Sequence, residues 1–399
     1  MQQQDARTSG LLDDAVRASN ALTTRWASRV EGADFVLSGA GVWPLLALLA
    51  SGAAGPARDE LVEAVGLPAE SAQEAAVALL ECLATGSATS AALGLWVHDR
   101  ITLLESWTKR LPVGVVGRLS GPEAQGRLDA WAAEHTRGLI EKFPLEIEPN
   151  DDLMLATALA ARTKWTIPFD DLHDAAGTGA WADRQIPILS RYGALAGTAV
   201  IKQPDGVTTR VIVAGQDDLD VHLVIGAVDA PAGSVLGAGI AALSPACTVI
   251  PAEDLPNGFT DHGISVREIM ATTPWNRLGI HVPPFTVRSR HDLCSPPTLF
   301  GLTTAMKIDP FGHFPHMSEH PQFVKKGAQD IVVAFSATGF EAAAVSAFGM
   351  IGGGMPEFSH RMRLVEVSFD RPFGFIAVHR PTGLVVVAGW VGTAPEAHA

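Results

Sequence analysis

The most informative stretch of this 399-residue chain is Gly339-Phe340-Glu341-Ala342-Ala343-Ala344-Val345-Ser346-Ala347-Phe348. Alanine is the best helix former, so the composition alone favours a helix. Glycines bound the stretch on both sides and Pro356 follows, so a helix here would be short and poorly anchored. A run of small side chains can instead enter a narrow slot between two other strands. The stretch therefore predicts a fold in which the rest of the chain supplies such a slot.

The alternation of side chains in this stretch is compatible with insertion as a strand, because alternate residues of a strand face opposite ways. One set is uncharged, as a buried face requires: Phe340, Ala342, Ala344, Ser346, Phe348 and Met350. The other set carries the single charge: Glu341, Ala343, Val345, Ala347 and Gly349. No proline precedes Pro356, so every residue up to Met355 can donate its backbone N–H to a neighbouring strand.

The composition is that of a large folded protein. Hydrophobic residues make up 47% and charged residues 18% of the chain, and we expect one domain spanning residues 1–399. The formal charge of -14 argues against non-specific binding to nucleic acid or to an anionic membrane. Three widely spaced cysteines form no disulfide framework. Without a secretory signal or a membrane-spanning segment, we expect a soluble, cytoplasmic, monomeric protein without a cofactor.

Helical patterns dominate the first third of the chain and strand patterns the remainder. Hydrophobic periodicity predicts helices over residues 11–30, 42–51, 56–65, 69–83 and 122–140. A long apolar run, Asp152 to Ala160, predicts a strand buried on both faces. Strands are also predicted over residues 34–38, 90–97, 208–213, 221–225, 279–282, 331–335, 364–369, 373–378 and 384–390. This order is typical of an α+β domain.

Five short motifs, in order along the chain, resemble those of the serpins. They are Asp34 to Ser38 with the apolar segment 46–55, Trp131 to Ile140 (W-x4-T-x-G-x-I), Trp165 to Asp170, Gly339 to Ala344, and Phe369 to Ile376 with Gly389 to Val391. Each motif is weak alone, but together they run from residue 34 to 391. The chain is thus similar to a divergent, prokaryotic-type serpin.

The resemblance implies a fold and a mechanism. The fold is a helical N-terminal part packed on a large mixed β-sheet, with smaller sheets and an exposed reactive-centre loop, here about residues 337–363. In this family a protease cleaves the loop and forms an acyl-enzyme. The loop then enters the main sheet as a new strand, which moves and distorts the protease. We therefore expect a suicide-substrate inhibitor of a serine or cysteine protease, and not an enzyme, built on a metastable fold.

The resemblance also assigns residues to this mechanism. The hinge of the loop corresponds to Gly339, Phe340, Glu341, Ala342, Ala343, Ala344, Val345 and Ser346. The region where the sheet opens corresponds to Ser38, Thr157, Trp165 and Gln329. Phe340 stands where the family usually has Thr or Ser, and such a bulky ring must widen the sheet, at a cost of about 1–3 kcal/mol. Thr157 and Gln329 replace the family's Asn–His pair.

Two positions for the scissile bond remain open. Counting forward from Gly339 by the usual loop length gives Gly353–Gly354, which offers no side chain to a protease. Counting back from Pro372 gives a bond near Phe358 to Arg361, in a candidate region that also includes Met362. Cleavage at Phe358, Arg361 or Arg363 would suit a chymotrypsin-like or a trypsin-like enzyme. The loop is thus longer than usual, which favours hydrolysis of the acyl-enzyme over inhibition.

A second hypothesis is a serpin-fold protein that no longer inhibits and instead binds a ligand or partner or carries out a pathway-specific reaction. The spacing of His313, His316 and His320 suits a zinc ion, and Cys294 lies near His291 in sequence. A loop and a polar strand end are the simpler interpretations of these two groups, and we expect neither a metal nor a catalytic cysteine.

Overall fold

The computed structural model describes residues 2–112, 114–204, 206–340 and 360–396. The α-helices of this part of the chain are α1 (Gln2–Ala27), α2 (Gly39–Gly52), α3 (Gly55–Val65), α4 (Ala69–Thr85), α5 (Glu105–Thr108), α6 (Ala124–His135) and α7 (Ala232–Ala241). The strands are β1 (Phe35–Leu37), β2 (Thr89–Val97), β3 (Val116–Arg118), β4 (Leu153–Ala161), β5 (Thr163–Lys164), β6 (Asp171–Ala176), β7 (Gln185–Gly193), β8 (Thr198–Gln203), β9 (Gly206–Ala214), β10 (Leu219–Ile225), β11 (Val249–Pro251), β12 (Thr260–Asp261), β13 (Ile264–Ala271), β14 (Arg277–Val282), β15 (Phe285–Asp292), β16 (Ala328–Phe335), β17 (Gly339–Phe340), β18 (His360–Ser368), β19 (Phe373–His379) and β20 (Leu384–Val391).

These strands form four sheets in the described part of the chain. A seven-stranded sheet has the order β1-β20-β19-β10-β9-β8-β11 and a six-stranded sheet the order β12-β13-β18-β14-β7-β6. A four-stranded sheet, β15-β16-β17-β5, and a three-stranded sheet, β3-β2-β4, follow. Helices packed on sheets that are mainly antiparallel, with parallel pairs between β14 and β18 and between β2 and β3, make this an α+β fold, as the order of sequence patterns predicts.

The helix α2 lies at the centre of the molecule. Ser38 is its N-cap, with a side-chain oxygen that accepts from the Gly41 N–H at 3.0 Å. Nearly all of its residues are buried, including Trp43, because it is apolar on every side. Pro44 is the sixth residue of the helix, beyond the first N–H groups that lack a helical partner, so the Ala40 carbonyl receives no helical hydrogen bond from it. The helix contacts α1, α3, α4, β4 and β20, so most of the core is built around it.

The helix α6 and the β12–β13 hairpin are among the elements that differ from the sequence prediction. The helix α6 ends at His135 and not near residue 140, because Arg137 and Gly138 adopt positive φ angles of 53° and 79°. The β12–β13 hairpin was not predicted, since its strands alternate weakly between apolar and polar residues. It covers one side of β18, which is therefore flanked by β13 and β14.

The strand β4 is not buried on both faces as its apolar run predicts. Its residues alternate, with Met154, Ala156, Ala158 and Ala160 buried and the intervening side chains partly exposed. Met154 and Ala156 belong to a cluster with residues of α6, so the face towards that helix is the covered one. The opposite face, which carries Thr157, points towards α2 across space that is not filled.

Candidate functional site

A slot separates β4 from β16 in the described structure. The two strands belong to different sheets, β4 pairing with β2 and β16 with β15. A cavity of about 110 Å³ lies between them, bounded by α2 on one side and by residues of α6 and the segment after it on the other. Each strand thus has one edge that pairs with no described strand along most of its length. Such unpaired edges can accept a further strand.

The middle of the slot is held by hydrogen bonds to the start of α2. From β16, the Gln329 amide accepts from the Ser38 N–H at 3.0 Å and donates to the Ser38 carbonyl at 3.0 Å. From β4, the Thr157 hydroxyl donates to the Gly41 carbonyl. The Ser38 hydroxyl also donates to the Val386 carbonyl of β20 at 2.6 Å. Three of the predicted sheet-opening residues, Ser38, Thr157 and Gln329, therefore meet at one point.

The upper end of the slot is closed by the short strand β17. Phe340 pairs with Phe335 of β16 and with Thr163 of β5, so residues 339–340 already lie between the two halves. The approach is close: a Cβ added to Gly339 would lie 2.5 Å from the Thr163 carbonyl oxygen, which only glycine avoids. The Phe340 side chain is 1% exposed, and its ring centroid lies 6.2 Å from that of Phe375. The sheet therefore already accommodates this bulky ring.

The fourth predicted residue, Trp165, lies at this upper end and not with the other three. It is fully buried, and its indole N–H donates to the Ser336 carbonyl at 2.9 Å. Its ring lies 4.8 Å from that of Phe335. Trp165 packs beneath the strand that precedes the hinge, as expected for a packing residue, and offers no face to a ligand.

The lower end of the slot is crossed by ion pairs that the sequence did not predict. Lys326 lies just before β16 and its ammonium is 2.6 Å from Asp151, which lies just before β4. Lys325 also pairs with Glu148, and its hydrogen bond lowers the pKa of that carboxyl. The Asp151 side chain is only 5% exposed and accepts from the Glu148 N–H at 2.8 Å. The sequence signal was the Lys325-Lys326 pair beside a strand, whose partners only the fold brings near.

The reactive loop was expected to run to about residue 363, but β18 begins at His360. Arg361 and Met362 pair with Met270 and Ile269 of β13, and the Arg361 guanidinium bonds Glu268 at 3.1 Å. The Arg363 N–H donates to Asn276 Oδ1 at 3.0 Å. The candidate scissile positions Arg361 and Met362 therefore lie in a sheet and pair with β13 on one side, whereas β14 pairs with β18 only from Leu364 onward. The reason is the β12–β13 hairpin, which supplies the outer neighbour.

Several candidate residues lie outside the described part of the chain. They are the hinge residues Glu341, Ala342, Ala343, Ala344, Val345 and Ser346 and the scissile candidates Gly353, Gly354 and Phe358. Of the hinge, Gly339 and Phe340 are described, and they occupy the upper end of the slot.

The structure does not bring Cys294 and His291 together as a nucleophile and base. The His291 Nε2 lies 2.7 Å from the Val36 carbonyl oxygen. Burial, followed by the nearby Asp292, raises the pKa of the Cys294 thiol to about 11, so the thiol stays protonated at neutral pH. Among the residues that the structure describes, no group of three His, Cys, Asp or Glu side chains could hold a metal ion.

Comparison with known proteins identifies the family. A family model described as "Serpin (serine protease inhibitor)" matches residues 17–177 and 251–393. Since these segments make up more than half of the chain, the protein belongs to the serpin family. In sequence, no curated protein matches it.

Three solved structures share the fold. The native state of tengpin, a thermophilic serpin, matches with a TM-score of 0.71 and 14% identity, covering 96% of this chain and 94% of that one. Human thyroxine-binding globulin in complex with thyroxine matches with a TM-score of 0.69 and 16% identity, covering 97% of this chain and 98% of that one. Native protease nexin-1 with heparin matches with a TM-score of 0.69 and 15% identity, covering 97% of this chain and 100% of that one. At these identities the likeness shows the serpin fold alone.

Proposed function

We propose that this protein is a serpin-type suicide-substrate inhibitor of a serine or cysteine protease. The observation that carries the proposal is the slot between β4 and β16 with Gly339 and Phe340 already lodged at its upper end. The chain that follows is the alanine-rich hinge. Once the loop is cleaved, it can continue downwards from Phe340, pairing with both strands. The gain in backbone hydrogen bonds favours this insertion.

The buried position of Phe340 determines which side chains of the inserted loop would face the core. Because its ring faces the core, the next side chains to do so in a continuing strand are Ala342, Ala344 and Ser346. These are small and uncharged. Glu341 then faces outwards, where its charge stays solvated. The alternation thus suits a slot whose inner wall is the apolar helix α2.

The proposed partner is a protease that cleaves after an apolar or aromatic residue. The segment 341–359 contains no Lys or Arg, whereas it contains Phe348, Met350, Ile351, Met355 and Phe358. The nearest arginine, Arg361, is held within β18. A chymotrypsin-like or elastase-like enzyme therefore has cleavage sites in this segment, before β18 begins, and a trypsin-like enzyme does not.

The protein is proposed to act as a cytoplasmic monomer. Among the described helices, none is both long and apolar enough to cross a membrane.

The experiment is limited cleavage by chymotrypsin, followed by measurement of covalent complex and of the unfolding temperature. We expect an SDS-resistant complex and a cleaved protein that unfolds many degrees higher than the intact one. The matched variants are Ala344→Arg, which places a charge on the inward face, and Ala343→Arg, which places it outwards. The first should be cleaved without complex formation or stabilisation, and the second should behave as the wild type. An unchanged unfolding temperature in the cleaved wild type would overturn the proposal.

A second candidate function is binding of a ligand or partner without inhibition. The upper end of the slot is already filled, so the sheet is partly closed before any cleavage. The structure of thyroxine-binding globulin, which shares this fold, contains thyroxine. In this case cleavage would leave the unfolding temperature unchanged, so the same experiment distinguishes the two functions.

A further inference from the structure

Trp275 is exposed to solvent, unlike every other tryptophan of the chain. All nine tryptophans lie in the described part of the chain, and the other eight are buried or partly buried. Trp275 is 74% exposed, so a large apolar ring system faces water, which is unfavourable. Tryptophan is also among the residues that contribute most to binding energy at protein–protein interfaces. Its exposure therefore calls attention to the surface around it.

The segment 272–276, which carries Trp275, crosses the end of the six-stranded sheet at which β18 begins. It joins β13 to β14, and these two strands lie on opposite sides of β18. The last residue of β13 pairs with the first residue of β18. Asn276 Oδ1 accepts from the Arg363 N–H of β18 at 3.0 Å, which fixes the segment at this end. Trp275 is therefore held next to the point where the segment 341–359 joins the sheet.

Two neighbours of Trp275 are exposed at the same end of the sheet. Met270, the residue before the last of β13, is 50% exposed and pairs with Arg361 of β18. Arg277, the first residue of β14, is also exposed. Met270, Trp275 and Arg277 are called the loop-end patch below. Aromatic residues, methionine and arginine are the types that are enriched at protein–protein interfaces.

A protease that cleaves the segment 341–359 must come close to the loop-end patch. Phe358 precedes His360, the first residue of β18, by two residues, so the chain between them spans at most about 7 Å. From Gly354 the span is at most about 21 Å. A protease of about 220 residues has a radius of gyration of about 17 Å, so its body extends over this end of the sheet from either position.

We propose that the loop-end patch is a second contact surface for the target protease. It binds the body of a chymotrypsin-like or elastase-like enzyme whose active site holds the loop. This contact rests on the proposed function, since it requires a protease that cleaves the segment 341–359. Trp275 provides the main apolar contact, and Met270 and Arg277 lie beside it. The patch stabilises the first complex of the two proteins and so speeds cleavage, whereas the later insertion of the cleaved loop does not involve it.

The experiment measures the second-order rate constant for cleavage of the loop by chymotrypsin in the intact protein. Trp275→Ala should lower this rate constant about tenfold, as loss of an interface hot spot does. Trp275→Phe keeps an aromatic ring and should retain most of the wild-type rate. Phe311→Ala is the control, because Phe311 is 87% exposed in another loop, and it should be cleaved at the wild-type rate. The fraction of SDS-resistant complex and the unfolding temperature after cleavage should be the same in all four proteins.

The outcomes separate this contact from the proposed function. If Trp275→Ala is cleaved as fast as the wild type, or if Phe311→Ala is slowed as much as Trp275→Ala, the patch is not a contact surface. If the wild type forms no complex and keeps its unfolding temperature after cleavage, the inhibitory function is wrong. In that case, slower cleavage of Trp275→Ala alone would still show that the patch contacts the protease.

Discussion

The Gln329 side chain forms two hydrogen bonds with the backbone of Ser38, both at 3.0 Å, which tie β16 to the residue just before α2. Ser38 is in turn the N-cap of α2 and a donor to Val386. This one amide therefore joins a strand beside the slot to the central helix and, through it, to the seven-stranded sheet. A strand entering the slot must pass this point.

Replacing Gln329 by Ala should destabilise the intact protein by about 1–3 kcal/mol. Two hydrogen bonds are lost, and the partly buried N–H and carbonyl of Ser38 are left to find other partners. The measurement is urea unfolding of the uncleaved form. Gln185→Ala is the control, because Gln185 is exposed and should change stability by less than about 0.5 kcal/mol. Equal stability of the two variants would show that the amide contributes nothing at this site.

Replacing Phe340 by Ala should loosen the hinge from the sheet. The buried ring packs against Phe375, and a Phe to Ala change in a core costs about 3–5 kcal/mol. We expect lower stability in urea and faster cleavage of the segment 341–359 by chymotrypsin, since β17 no longer anchors it. Phe311→Ala is the control, because Phe311 is 87% exposed. A cleavage rate equal to that of the wild type would contradict the described position of Phe340.

Replacing Lys326 by Met should weaken the lower end of the slot by about 1–3 kcal/mol. The nearly buried carboxylate of Asp151 loses the ammonium group at 2.6 Å and keeps the more distant Lys325 at 3.6 Å and the hydrogen bond from the Glu148 N–H. The decrease in the free energy of unfolding is measured by urea unfolding at low salt. The exposed Lys109–Glu105 pair provides the comparison, since Lys109→Met should have an effect near zero. If the two variants lose the same stability, burial of Asp151 is not important.

The stability of the protein should fall between pH 6.5 and pH 4, in part because of His222. Burial, followed by the charge of Arg210, lowers the pKa of this histidine from 6.5 to about 4. In this range the unfolded chain binds a proton that the folded chain does not, so stability falls as pH falls. The shift corresponds to about 3 kcal/mol.

The variant that tests this is His222→Leu, which cannot titrate. The free energy of unfolding measured against pH should have a smaller slope between pH 6.5 and 4 than in the wild type. His316→Leu, at an exposed position, should leave the slope unchanged. If the free energy of unfolding of His222→Leu depends on pH as steeply as that of the wild type, other groups cause the pH dependence.

The sequence alone determined the class of fold and the pattern of the hinge. Apolar periodicity identified the buried helix α2, and the order of five motifs along the chain predicted a serpin. The alternation from Phe340 to Ser346 shows one uncharged face. These features are local, or repeat at the period of a helix or strand, so they can be read without knowing which segments meet.

Only the tertiary structure decided what surrounds the hinge. Lys326 and Asp151 are far apart in sequence, and their pairing depends on how the ends of β16 and β4 are placed across the slot. The β13 strand, which places Arg361 within a sheet, has a weak pattern because its stability comes from pairing with β18. Likewise the ring of Phe340 is large for a narrow slot by size alone, yet the fold provides a pocket against Phe375. Contacts between distant segments depend on packing, which no local pattern of residues encodes.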